Sequence, residues 1–221
     1  KPFAGRFLDA DRPDFKPTAL PLTLSLDTRA QLSDVRTHNL IARLPGRDPA
    51  AGAVLVLSHW DHFGLCRPGG APDRICNGAV DNASGLAMMT ELARLLARGP
   101  RLDRDVYFLA TTAEEWGLLG THAFAAEPPL PLSSLVGAFN LDTGALAPRG
   151  RPVAVVGQGL APFDAEVRRV IEASGRQIAG DATAARFLRR QDGGALLQAD
   201  VPTVLVSGSY ADEELLDRFL R

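Results

Sequence analysis

Apolar and polar positions alternate in blocks along this chain. Val54–Ser58, Val106–Thr111 and Val136–Leu141 are short apolar runs bounded by turn-forming residues. Runs of that length read as strands buried on both faces of a mostly parallel sheet. Between them the apolar period lengthens. Leu86, Met89, Leu92, Ala93 and Leu96 predict a helix from about Ser84, with Asp81, Asn82 and Ser84 as capping side chains and Gly99-Pro100 as its stop. The pattern predicts further elements in order: a strand over Asp105–Thr112, a short helix over Gly117–Ala126, and a strand at Pro152–Val156. A helix over Phe163–Ser174, a strand at Thr203–Ser207 and a last helix over Asp212–Leu220 complete the series. Nearer the start, Leu20–Leu26 alternates with period two and reads as a half-exposed strand. Asn39–Leu44 and Ala53–Ser58, joined by PGRDPAAG, predict an antiparallel hairpin. The Gly/Pro-rich stretch Phe63–Val80 predicts an irregular loop. Strands alternating with helices give an α/β class, a three-layer α/β/α architecture with a mixed, mostly parallel central sheet.

Composition adds bounds. The 221 residues suffice for one sizeable core, and a net charge of −2 with scattered arginines points away from nucleic acid. No apolar run is long enough to span a membrane. Residues 1 to about 18 are Pro-rich and weakly patterned, and residues 1–36 read as an N-terminal arm, or the remnant of a removed segment. The chain begins at Lys1 and not at a methionine, which suggests a processed or cropped form. Cys66 and Cys76 share one loop and read as a disulfide, which implies an oxidising, extracytoplasmic (periplasmic or secreted) setting.

The ends of the predicted strands carry the candidate chemistry. His59 and Asp61 come directly off the first buried run, Glu114–Glu115 off the second and Asp142 off the third, while Asp81 precedes the first helix. In open α/β sheets the ligand crevice lies at the carboxyl ends of the strands. Sequence position alone therefore gathers an imidazole and several carboxylates on one rim. Zinc accepts both donor types and, in catalytic sites, keeps a position open. Two metals close together need a carboxylate to bridge them. Each piece alone has a plainer reading: a solvated Glu-Glu pair, a helix-capping aspartate, a chance His-x-Asp. Their joint placement points to a metal hydrolase. Asp61 is positioned to accept the second N–H of His59 and fix its tautomer. His38 and His122 read as surface or packing residues, and His62 as a bystander beside the site.

The segments SHWDH, NGAVDNASG, AEEWGLLGT and FNLDTG, in that order from His59 to Thr143, resemble the signature segments of the di-zinc aminopeptidase family that includes the bacterial leucyl aminopeptidases. The resemblance implies that His59 and Asp142 hold one zinc and Glu115 the other, with Asp81 bridging. It makes Glu114 the general base, Asp61 the partner of His59, and residues 37–221 the metallopeptidase catalytic domain. The implied activity is zinc-dependent removal of N-terminal residues from peptides through a water held between two Zn2+ ions, on substrates with a free N-terminus. A same-fold carboxypeptidase, a glutaminyl cyclase and an inactive protease-like binding domain are the alternatives. RRQDGGALLQADVPTVLVSG resembles a later family segment, but Gly193 follows Asp192 where many members carry a histidine. The family's second zinc is normally completed by a late histidine after a tyrosine. Here Ala211 follows Tyr210 and no histidine follows His122, so the resemblance places that ligand beyond Arg221 and leaves the second site incomplete within this chain.

Overall fold

The computed structural model describes residues 14, 16, 23, 25–30, 32–144, 146–180 and 182–220. The Leu20–Leu26 strand expectation lies largely outside these residues. The chain divides into two compact units, Lys1–Val35 and Arg36–Arg221. Among the described residues, every helix and strand lies in the second.

Six strands form its main sheet: β1 (Leu40–Leu44), β2 (Ala53–His59), β5 (Asp105–Thr111), β6 (Leu135–Asn140), β7 (Ala154–Val156) and β8 (Thr203–Ser207). Their order is β1-β5-β2-β6-β8-β7. The four central strands run parallel, and β1 and β7 cap the edges antiparallel. The expected β1–β2 hairpin does not form, because β5 lies between the two and pairs with both. The physical reason is burial. All of β2 but Val54 is buried, so its backbone N–H and C=O groups need partners on both edges, and β5 and β6 supply them. Asp105 at the start of β5 holds β1 in its outer place: its carboxylate accepts the Gly46 N–H at 2.7 Å and pairs with the Arg43 guanidinium at 2.8 Å.

Helices α1 (Ser84–Arg98) and α3 (Asp164–Ala173) cover one face of the sheet. Met89 of α1 packs on Val56, Val106 and Phe108, while Ile171 of α3 packs on Val155 and Val204. The other face carries α2 (Leu119–Ala126), α4 (Ala182–Phe187), α5 (Asp192–Gln198) and α6 (Glu213–Leu220). There Phe124 and Leu196 meet Leu55, Leu57 and Leu109, and Leu216 meets Val156 and Leu205. Full burial of each such leucine is worth about 1.5–3 kcal/mol. The result is the expected α/β/α arrangement.

The Phe63–Val80 loop is more ordered than its composition predicts. Gly64–Leu65 (β3) pairs antiparallel with Ile75–Cys76 (β4), and Cys66 is disulfide-bonded to Cys76. The cross-link compensates for the few backbone bonds that two residues per strand can make. Among the described residues no helix is long and apolar enough to cross a membrane.

Candidate metal centre

Parallel strands bring their carboxyl ends to one rim, and the sheet delivers most of the polar residues there. His59 is the last residue of β2 and lies in register with Thr111 at the end of β5. Two residues past Thr111 the chain turns at Ala113 (φ 53°) and presents Glu114 and Glu115. Asp142 lies two residues past β6. Asp81 sits in the approach to α1 in an extended conformation (φ −112°, ψ 90°), so its carboxylate leaves the helix axis and is not used for capping. Asn82 does the capping, accepting the Gly85 N–H at 3.0 Å.

Two donor groups result. His59, Asp81 and Asp142 form one and His62, Asp81 and Glu115 the other, with the donor atoms of each within 4.8 Å of one another. Asp81 belongs to both. His59 Nε2 lies 2.9 Å from Asp81 Oδ1 and 3.8 Å from Asp142 Oδ1. His62 Nδ1 lies 2.5 Å from Glu115 Oε1. His59 Nε2, His62 Nδ1 and Glu115 Oε1 are shielded from water, and none has a hydrogen-bond partner. Buried polar atoms left unpaired cost free energy, and native structures rarely keep several together without an ion to satisfy them. The donor set, two imidazoles and two carboxylates around a shared aspartate, is suited to zinc.

Asp61 acts on His59 differently from the expectation. Its backbone carbonyl, not its carboxylate, lies 3.1 Å from His59 Nδ1, and the nearer carboxylate oxygen stands off at 3.7 Å. The carboxylate instead accepts the backbone N–H groups of Glu114 at 3.1 Å and Glu115 at 3.4 Å. Asp61 thus meets His59 Nδ1 with its carbonyl and holds the Glu-Glu turn against the end of β2 with its carboxylate.

The charge environment follows from this crowding. Burial would lower the His59 pKa, but the Asp142 and Asp81 carboxylates outweigh it and push the imidazole up to about 12. Burial, opposed by the His59 charge and reinforced by Asp192, Asp142 and Glu115, pushes Glu114 up to about 9. Burial and then the Asp81 charge raise Glu115, against the pull of His62. Carboxyls that hold protons this strongly stand in a field that a cation would relieve.

Several supporting residues were not legible from sequence. Asn82 Nδ2 donates to Ser58 Oγ at 3.0 Å and to the Leu141 carbonyl at 2.9 Å, tying the approaches to Asp81, His59 and Asp142 together. Gly85 makes room for this tie, since a Cβ there would sit 2.2 Å from the Leu141 oxygen. Thr143 Oγ1 donates to Asp142 Oδ1 at 2.9 Å. Asp192 lies buried beneath the rim, accepting from Thr111 and Thr121, each at 2.5 Å. Gly193 has no space for a side chain: a Cβ would meet Gln191 Oε1 at 2.7 Å and Thr203 Cγ2 at 2.8 Å.

Residues 39–215, a stretch that includes every element of the main sheet and both donor groups, match the pattern of peptidase family M28. This chain belongs to peptidase family M28. Aminopeptidase YwaD of Bacillus subtilis is 43% identical over 68 residues, 29% of this chain and 14% of that protein. A vacuolar membrane protease of Candida dubliniensis is 29% identical over 97 residues, 44% of this chain and 9% of its own length. The M28 chain therefore spans only a small part of these curated relatives. Among solved structures, a zinc aminopeptidase from Bacillus subtilis aligns at TM-score 0.58 and 23% identity, over 76% of this chain and 39% of its own. A Porphyromonas gingivalis glutaminyl cyclase aligns at TM-score 0.59 and 17% identity, over 82% of this chain and 76% of its own. These two likenesses establish a fold in common, and the activity has to be argued from the site.

Proposed function

We propose that this M28 chain is a zinc-dependent aminopeptidase acting on peptides with a free N-terminus. The observation that carries the reading is the pair of donor groups sharing Asp81, whose unpartnered atoms converge without hydrogen bonds. His59, Asp81 and Asp142 would hold one zinc and Asp81 and Glu115 would serve a second. When bound, zinc supplies a Lewis acid that acidifies water and polarises a carbonyl. Glu114 is the proton carrier. It lies beside the donors without belonging to either group, and its proton affinity is already raised by its surroundings. It takes a proton as water adds to the peptide carbonyl and returns one to the amine as the C–N bond breaks. The likeness to a named aminopeptidase supports the exopeptidase choice. The Cys66–Cys76 bond supports an oxidising, extracytoplasmic setting.

Turnover of leucyl p-nitroanilide tests the reading, run beside its N-acetylated analogue, an N-blocked dipeptide with a free C-terminus and an N-terminal glutaminyl peptide. The zinc-loaded chain should hydrolyse the first, leave both N-blocked compounds intact and release no cyclised product from the glutaminyl peptide. Cyclisation of the glutaminyl peptide or cleavage of the blocked dipeptide would move the assignment to another activity. Zinc binding with no turnover of any of them would favour a binding domain.

A further inference from the structure

His62 is not placed as a bystander. Its Nδ1 lies 2.5 Å from Glu115 Oε1, yet neither atom has a hydrogen-bond partner and both are shielded from solvent. An ordinary His–Glu pair aims the imidazole N–H at the carboxylate oxygen and is then satisfied. Here no such bond forms, and the nitrogen and the oxygen belong with Asp81 to one donor group whose atoms lie within 4.8 Å of one another. The Glu115 side chain is only 10% exposed, so water does not relieve its unpartnered oxygen.

The chain also builds a seat for the His62 ring. The disulfide and the Gly64–Cys76 register bring residues 62–64 against 76–78. Gly78, at φ +64°, faces the ring directly, and a Cβ there would sit 2.8 Å from both Cβ and Cγ of His62. Phe63 packs against the ring in an edge arrangement, with ring centroids 5.2 Å apart at 64°. A ring held this way loses little entropy in keeping one orientation.

We infer that His62 is a zinc ligand through Nδ1, completing with Asp81 and Glu115 a three-donor second site. The inference rests on the functional reading above, which needs a second ion but supplies it with only two donors. Three protein donors and one open position is the arrangement of a catalytic zinc. The two sites are then alike in count and differ in the nitrogen used: Nε2 at His59, because Nδ1 faces the Asp61 carbonyl, and Nδ1 at His62.

Long-range proton–nitrogen spectra of the full chain with 15N-labelled histidine, recorded through a zinc titration, test this directly. Two rings should take on metal-bound nitrogen signals, His59 at Nε2 and His62 at Nδ1, while His38 and His122 stay unchanged. A response from His59 alone overturns this inference and leaves the functional reading standing. No response from either histidine overturns both. His62→Ala should weaken the second zinc by about 100-fold or more, the upper end of what even supporting residues contribute. It should leave the first zinc and the melting of the zinc-free chain unchanged. Equal second-site affinity in His62→Ala overturns the assignment. If that variant does not fold, the wild-type spectra decide alone.

Discussion

The two donor groups share one aspartate and are built from opposite materials. The His59 group hangs on the sheet: His59 ends a central strand with its side chain 1% exposed, and Asp142 follows the neighbouring strand. Asn82, Ser58 and the Leu141 carbonyl lock these segments together. The His62 group hangs on turns. Its imidazole is 21% exposed and comes from the segment leading into a two-residue strand, and Glu115 comes from a turn held by Asp61. A rigid frame fixes donors before the ion arrives, while a turn leaves some ordering to be done on binding. The first site should therefore be preorganised and the second weaker and adjustable.

The largest expected effect lies on neither group. Glu114→Gln should cut turnover by about 10²–10⁴-fold, the scale of a lost general acid–base, while both zinc affinities hold. Stopped-assay kinetics with metal analysis on the same sample checks this, and loss of metal in this variant would exchange the roles of Glu114 and Glu115. Next comes the shared ligand. Asp81→Asn should weaken both zinc steps, whereas Asp142→Asn should weaken only the first. Competition against a chelator reads the two steps separately, and unequal damage in Asp81→Asn would break the bridging assignment.

A smaller effect should fall on the second group alone. Paired Cys66→Ser and Cys76→Ser substitutions free the segment that seats His62, so the second zinc step should weaken several-fold with the first unchanged. The same competition measurement reports it. The smallest effect on the site comes from Asp105, at the opposite end of the strands. The Gly46 N–H, against some opposition from burial, and the Arg43 guanidinium hold its carboxyl below the usual carboxylate range. A depressed folded-state pKa gives stability that is present above the unfolded value, about 3.9, and is lost as pH falls through the folded value. Asp105→Asn should cost about 1–3 kcal/mol near neutrality, as for a lost charged hydrogen-bond partner. The two proteins should converge in strong acid, with zinc binding at neutral pH unaffected. Urea melts across pH give the answer, and a constant gap at every pH would contradict it.

Much of this was legible in the sequence because burial writes itself into runs of apolar residues. Leu55, Leu57 and Leu109 mark central strands, and parallel strands all end on one rim, so His59, Glu114, Glu115 and Asp142 could be grouped before any coordinates. What stayed hidden depends on pairing across space. The run Leu40–Leu44 does not say which strand it joins; its ladder with β5 and the Asp105 contacts with Gly46 and Arg43 place it there. Nothing local distinguishes Asn82 as the knot between three segments, or shows that the Asp61 carbonyl would face His59 while its carboxylate served the next turn. The position of His62 depends on a two-residue ladder and a disulfide, features too short to leave a period. Gly78 was the available sign, readable only once its neighbour was known.

Zinc titration of the metal-free chain at neutral pH, followed by equilibrium dialysis with metal analysis, tests the central claim most directly. Two zinc ions per chain should bind in two resolved steps, the tighter abolished by His59→Ala and the weaker by Glu115→Gln. One zinc per chain, or a single step that both substitutions remove together, would contradict it.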